Sequence, residues 1–548
     1  MSKMTGAEAI IKSVRRYGID TIFGLPGGQT YHLFDAVYNE GDQLRIFNSR
    51  HEQGVAYMAY GYARSTGRVG VYTVVPGPGV LNTGSALCTA YAGNERVLCL
   101  AGQIPSHWIG KGVGFLHEIP DQLGILQRLT KWAERIETPA DAPRLVNQAF
   151  REMNSGRPRP VALEMAPDIM GMQEEVELLP ASPAPEPVQA DPDLVEAAAR
   201  LLGKAGSPLI VFGHGCVDAG AELLQVANML QAPCTTQWGG KGIIDERHYL
   251  SQPYSAGHRL WAKADAVLAV GTRLDIPQLQ WGLDDELKVI RIDIDAAQVA
   301  NIAEPEIGIV ADAKSALADL AAALERHTAA RQSRKQELTG LKTAMFEEFE
   351  RNVGPQMEIL KVIREELPED GFLVDEVTQV GYASWFGFPV YRPRHFISSG
   401  YQGNLGYGYT TALGVQVANP GKKVVVLGGD GGFMYQATEM ATAVKYRLNL
   451  VNIVFNNHSY GNVQRAQQEE FGGNVIGSDL SNPDFVRFAE SFGAPGLRVE
   501  TAGQLRKALR QAFKETGPVL IEMPSADMPS PWPYILMPRN RGKMVGSE

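Results

Sequence analysis

The stretch Val424-Val425-Val426-Leu427-Gly428-Gly429-Asp430-Gly431-Gly432 decides the fold. Its aliphatic run reads as a buried parallel strand that ends in glycines. The pattern predicts a helix from about Gln436 to Tyr446, with Met440, Ala443 and Val444 on its apolar side. A second buried strand, Leu450 to Phe455, then delivers Asn456-Asn457. Such a unit puts a carboxylate and an amide at the carboxyl edge of one parallel sheet, where α/β proteins bind ligands. These hard oxygen donors suit a Mg²⁺ that carries a diphosphate, because Mg²⁺ takes few protein ligands and fills its octahedron with phosphate oxygens and water. The glycines let backbone N–H groups approach phosphate. The alternative is a purely structural unit in which Asp430 caps the helix and the asparagines make a turn.

A distant segment completes the pattern. Ser49-Arg50-His51-Glu52-Gln53-Gly54 follows a strand expected over Leu44 to Phe47 and opens a helix expected from Gln53 to Arg64. Together with Gly429-Asp430-Gly431 and Asn456-Asn457, it resembles the motifs of thiamine diphosphate (ThDP)-dependent enzymes. The run Tyr57-Met58-Ala59-Tyr60-Gly61-Tyr62-Ala63-Arg64 is similar to the corresponding segment of acetolactate (acetohydroxyacid) synthases, in the branch shared with benzoylformate decarboxylases. Phe23-Gly24-Leu25-Pro26-Gly27-Gly28, Gly77-Pro78-Gly79-Val80-Leu81-Asn82 and Gly403-Asn404-Leu405-Gly406-Tyr407-Gly408 resemble further family segments. The resemblance runs from about residue 5 to about residue 525.

The resemblance implies an α/β fold of three doubly wound parallel-sheet domains, two of them ThDP-fold domains flanking a Rossmann-like third. It implies ThDP and Mg²⁺ as cofactors, with Asp430, Asn457 and the backbone carbonyl of Ser459 on the metal. Gly429, Gly431, Gly432, Tyr460, Gly461, Gln379 and Pro76 would contact the cofactor. Leu405 would wedge between its two rings, and the Gly403 carbonyl would accept from its amino group. Glu52 would hold the aminopyrimidine proton, acting from one subunit on a cofactor held by another. A carboxyl in an apolar setting can share a proton in this way.

Substrate choice then falls to Gly28, Gln29, His32, Pro76, His117 and Gln379. Phe115-Leu116-His117-Glu118 stands where synthases have Phe-Gln-Glu, so an imidazole replaces an amide. A merely structural histidine is the alternative at both His117 and His32. The expected reaction is decarboxylation of a 2-oxo acid followed by carboligation. Simple decarboxylation, cleavage of a 2-hydroxy or 1,2-dicarbonyl compound, and a cofactor-binding regulator without turnover stay open.

The 548 residues suggest about three domains. The expected ranges are 1–177, a proline-rich linker at 178–193, a middle domain at 194–330 and a carboxyl-terminal domain at 350–548. The strands of the middle domain are expected at Pro208 to Phe212, Ala266 to Val270 and Val289 to Ile294. Arg331, Arg334, Lys335 and Glu337 are expected to be exposed in a polar, helical boundary. Phe212-Gly213-His214-Gly215 matches part of a dinucleotide fingerprint but lacks the third glycine and the ribose carboxylate. Relatives bind FAD around this domain; Gly271-Thr272-Arg273-Leu274-Asp275 departs from their sequence, so FAD stays open beside a domain that only supports a dimer. A net charge of −10 argues against nucleic acid or anionic membrane as partners. The expected partners are a small 2-oxo acid and further copies of the chain, as dimer or tetramer. No spanning run or signal-peptide core is read, and Cys88, Cys99, Cys216 and Cys234 read as buried free thiols, so a cytoplasmic location is expected.

Overall fold

The computed structural model describes residues 1–542; positions 543–548 of the expected last domain lie outside the described residues. Three six-stranded parallel sheets organise the chain. Counted within each sheet, the first and third share the strand order 2-1-3-4-6-5, and the middle sheet has the order 3-2-1-4-5-6. The first uses strands from Thr21–Gly24 to Val161–Met165, the middle from Pro208–Phe212 to Ile307–Val310, and the last from Phe372–Val374 to Val519–Pro524. This is the expected α/β architecture, with a Rossmann strand order between two like-wound sheets.

Alternation along the strands explains the two covered faces. Val97, Cys99 and Ala101 pack toward the Glu52–Thr66 helix, while Leu98 and Leu100 pack toward the opposite cluster. In the last sheet Val424 and Val426 face one core, and Val425 and Leu427 the other. One core spans both outer domains, because the Glu52–Thr66 and Tyr407–Ala418 helices cross within it. Both are buried almost all round, as a helix apolar on every face must be. Their approach is so close that a Cβ on Gly61 would overlap the Thr411 carbonyl, and one on Gly414 the Met58 carbonyl.

Several expected elements differ in detail. The helix expected from Gln436 to Tyr446 is replaced by Asp430–Tyr435, a short turn at Ala437–Glu439 and Met440–Lys445. Gln436 leaves helical geometry at φ −131°, and the glycines after Asp430 let the chain enter a helix directly from the strand. Residues 177–191 carry no regular structure, and the linker runs pinned, with Pro180 accepting from Asn147 and Val188 from Asp312. Arg331 is half-buried rather than exposed, because its guanidinium donates to the carbonyls of Leu202, Gly203 and Ala205 at the end of the Pro192–Lys204 helix. Arg334 is half-buried too, in an ion pair with Glu337. All four cysteines are free, but Cys88 is only half-buried. Among the described residues no helix is long and apolar enough to cross a membrane.

Candidate active site

In the carboxyl-terminal sheet the strand order reverses between Phe372–Val374 and Val424–Gly429. The segments leaving these two strands diverge there and open a crevice, the usual ligand position in such sheets. A cavity of about 60 Å³ lies at this point, lined by Thr378, Gln379, Gly429, Asp430, Asn457, Ser459, Gly461, Asn462, Ser525 and Met528, with others. Asp430 is the first residue of its helix and only 2% exposed. Its Oδ2 accepts from Asn482 Nδ2 at 2.7 Å, and no ion pair to it exists among the described residues. Burial pushes this carboxyl up, against the pull of the Asn482 hydrogen bond. A buried carboxylate without a protein cation is costly unless a cation is supplied. Asn457 Oδ1 accepts the Ser459 N–H at 3.2 Å and keeps a second lone pair. Among the described residues no group of three or more His, Cys, Asp or Glu is placed to hold a metal ion. The donors here are oxygens, from one carboxylate, one amide and one backbone carbonyl, and that set fits Mg²⁺. Gly431 is packed against the Tyr460 ring, where a Cβ would lie 2.6 Å from Cε1.

Beside this cavity, Gly403 is exposed and left-handed at φ 56°, and Leu405 is half-buried. Asn404 anchors their loop in the first domain, donating to Tyr57 Oη and Thr89 Oγ1 at 2.9 Å each. Gly406 N–H donates to Glu376 Oε1 at 2.5 Å.

The amino-terminal candidates form a separate group. The first sheet also reverses order, between Thr21–Gly24 and Gly70–Val74, and the following turns carry Gly28-Gln29 and Pro76-Gly77. His117 Nδ1 lies 2.9 Å from Gln29 Oε1, and Gln29 Nε2 donates to the Leu116 carbonyl at 2.9 Å. Pro76 and Gln29 meet over Gly102, and the His117 carbonyl presses on Gly77. His117 itself is left-handed, at φ 67°. Gly28 is exposed. His32 stands on the exposed face of its helix against Gly171 and has no hydrogen bond to the Gln29–His117 pair. Glu52 opens its helix half-buried, and its Oε2 accepts from Asn82 Nδ2 at 2.9 Å. The apolar setting expected for it is therefore not built by this one chain.

None of these amino-terminal residues lines the Asp430 cavity. Within the chain the start of the Glu52–Thr66 helix meets other residues. Arg50 and His51 N–H groups donate to Glu439, and Gln436 donates to Gln53. The segment after the last strand lines the cavity with Ser525 and Met528. Trp532 donates to Asn462 at 2.8 Å, and Arg541 ties the chain end to Asp284 of the middle domain.

Sequence reasoning missed Asn482, Glu376 and the partner role of Asn82. Nothing local marks Asn482, which reaches Asp430 from far along the chain. Asp375-Glu376 did carry a signal, two acids at the carboxyl end of a buried strand.

The middle sheet reverses between Pro208–Phe212 and Ala266–Val270, beside a cavity of about 300 Å³. The partial fingerprint there is taken up by packing, while FAD itself stays open. Gly213 and Gly215 serve loop packing, since Cβ atoms would lie 2.5 Å from Gly271 O and 2.6 Å from Gly271 Cα. Arg157 is taken by Asp293 and Asp295, Arg394 by Asp218 and His214 by Glu95. Arg96 and Arg273 also line the cavity, bonded to the Asn154 side chain and the Ala92 carbonyl rather than to a carboxylate.

Comparison with known proteins agrees with this geometry. The N-terminal TPP binding domain of thiamine pyrophosphate enzymes matches residues 4–125, the central domain residues 195–320, and the C-terminal TPP binding domain residues 376–523. The chain is 32% identical to a probable acetolactate synthase large subunit of Methanocaldococcus jannaschii, over 95% of this chain and 92% of that protein. It is 30% identical to an acetolactate synthase of Arthrospira platensis, over 100% of this chain and 98% of the relative. It is also 30% identical to a probable 2-ketoarginine decarboxylase of Pseudomonas aeruginosa, over 95% and 94%. With like-wound outer sheets, a cavity at Asp430 and these matches along its length, the chain belongs to the acetolactate synthase-like superfamily of thiamine diphosphate-dependent enzymes.

Proposed function

We propose that this enzyme uses ThDP and Mg²⁺ to split the carboxylate from a 2-oxo acid and to join the remaining acyl carbon to a second carbonyl, as acetolactate synthesis does. The observation that carries the reading is Asp430, buried without a protein cation in a cavity with Asn457 and Ser459. Asp430, Asn457 and the Ser459 carbonyl hold the metal. Gly429, Gly431, Gly432, Tyr460, Gly461 and Gln379 surround the diphosphate, and Gly403 and Leu405 shape the cofactor. ThDP, when bound, supplies the electron sink for the bond that breaks.

Glu52 holds the aminopyrimidine proton of a cofactor bound by a second copy of the chain. Its separation from the Asp430 cavity within one chain supports this, since a residue of this role must touch the cofactor. Gly28, Gln29, Pro76 and His117 then face the substrate from that second copy. His117 favours a second outcome, proton delivery and release of an aldehyde, because Gln29 fixes its ring and an imidazole can donate a proton that an amide cannot. His32 has no part in either outcome.

The test is a panel of 2-oxo acids, with ThDP and Mg²⁺ present, followed for CO₂ release and for product identity. Ligation products support the first outcome and free aldehyde the second. Absence of CO₂ from every acid would overturn both.

A further inference from the structure

Glu376 is a fully buried carboxyl with no assigned role. It follows the strand Phe372–Val374 and sits beneath both cofactor loops. Its Oε1 accepts the N–H of Gly406, the residue after Leu405. Two glycines leave room for it, and a third stands between it and Asn452. A Cβ on Gly432 would lie 2.6 Å from Oε1, and one on Gly408 3.0 Å from Oε2. A Cβ on Gly428 would lie 3.7 Å from Oε2 and 3.1 Å from Asn452 Oδ1. Glu376 Oε2 and both amide atoms of Asn452 have no hydrogen-bond partner. The neighbouring Asp375 is fixed by the Tyr407 hydroxyl and by Trp385 Nε1, so the backbone under Glu376 is held.

We propose that Glu376, facing Asn452 across Gly428, is a positioning residue that sets the Leu405 loop against the diphosphate-binding turn. Its carboxyl spans the gap between the two loops through Gly406 on one side and the Gly428–Gly432 segment on the other. A side chain at Gly432 would displace it and one at Gly408 would crowd it, whereas Gly428 stands at ordinary contact distance. An ordinary core position would hold an apolar side chain here, because an unpaired buried carboxyl is costly. Burial pushes this carboxyl up to about 8, against the pull of the Gly406 hydrogen bond. The group therefore sits as the neutral acid at neutral pH, able to accept from Gly406 and to donate from its other oxygen.

The inference rests on the cofactor occupying the Asp430 cavity, and the experiment separates the two. ThDP binding to the wild-type holoenzyme, measured by calorimetry with Mg²⁺, tests the cavity; the ratios among variants test Glu376. We expect Glu376→Ala to weaken ThDP by about tenfold, the scale of losing one buried hydrogen-bonded partner. We expect its bound cofactor to exchange the C2 proton more slowly. Glu376→Gln, neutral and of equal shape, should recover most of the affinity and of the exchange rate. If Glu376→Ala does not fold, Asn452→Ala carries the same test, with a loss of several-fold. Coupling between the sites is read by combining Glu376→Gln with Asn452→Ala. Unchanged affinity and exchange in the Ala variants would overturn the proposal. So would a Gln variant as impaired as Ala, or strictly additive losses in the double variant.

Discussion

At the scale of single residues, Asp430 and Glu52 differ in their surroundings. Asp430 is buried, uncompensated and 2.7 Å from an asparagine amide that offers one hydrogen bond but no charge. Asp430→Ala should therefore weaken ThDP in the presence of Mg²⁺ by about 30-fold or more, the cost of truncating one partner of a desolvated charge pair. Calorimetry checks this, and unchanged affinity would place the metal elsewhere. Glu52 is half-buried and close to Asn82, away from that cavity. Glu52→Gln should bind ThDP normally but slow exchange of the cofactor's C2 proton by about 10²–10⁴-fold, the range for a lost acid–base partner. Deuterium exchange read by NMR after acid quench decides it. Asp430 was legible in the sequence because its strand, glycines and carboxylate are contiguous. Asn482 was not, because it comes from a separate loop that only the tertiary fold brings in.

At the scale of elements, the crossing of the Glu52–Thr66 and Tyr407–Ala418 helices joins the outer domains. It depends on Gly61 and Gly414, each lying against the other helix's backbone. A methyl group there cannot be accommodated by a side-chain adjustment. Gly61→Ala or Gly414→Ala should each cost about 1–3 kcal/mol by overpacking, seen as a lower melting temperature. The same helix carries Arg64, which pairs with Glu95 at 2.8 Å; both are almost fully buried, and His214 of the middle domain lies 3.1 Å from the same carboxylate. Burial pushes Glu95 up, but Arg64 and the His214 hydrogen bond outweigh it and hold the carboxyl at about 2. A carboxyl depressed on folding gives stability above its unfolded value, about 4.3, and loses it as pH falls toward 2. Glu95→Gln should cost about 3–5 kcal/mol near neutrality, because it strands a buried Arg64. The gap between variant and wild type should narrow between about pH 4.5 and 2, in denaturant melts across that range. A constant gap would show that Glu95 is not charged in the folded protein.

At the scale of the whole molecule, the two halves of the proposed site do not meet in one chain. The Asp430 cavity is lined only by the last domain, while Glu52, Gln29 and His117 lie on the first. The active unit should therefore be at least a dimer. Glu52→Gln and Asp430→Ala chains, each inactive alone, should regain activity on mixing, because a mixed dimer restores one intact site of two. Mass spectrometry confirms subunit exchange; exchange without activity would place each site within a single chain.

The sequence by itself determined the sheet class, the positions of the strands that bear the site, and the placing of a carboxylate, Asp430, and an amide, Asn457, at one sheet edge. These are local properties: apolar runs, glycines and donor residues within a few positions of one another. It did not determine the break at Gln436, since a polar residue leaving helical geometry has no distinctive composition. Nor did it determine that the fingerprint at Gly213 and Gly215 is used for loop packing, which depends on where Gly271 comes to lie. The placement of Glu52 beside Asn82, the paired ring of His117 and the buried carboxyl of Glu376 were decided only by tertiary structure. Each arises where loops from distant strands converge at a sheet edge, and burial and hydrogen-bond pairing there are set by neighbours far away in the chain.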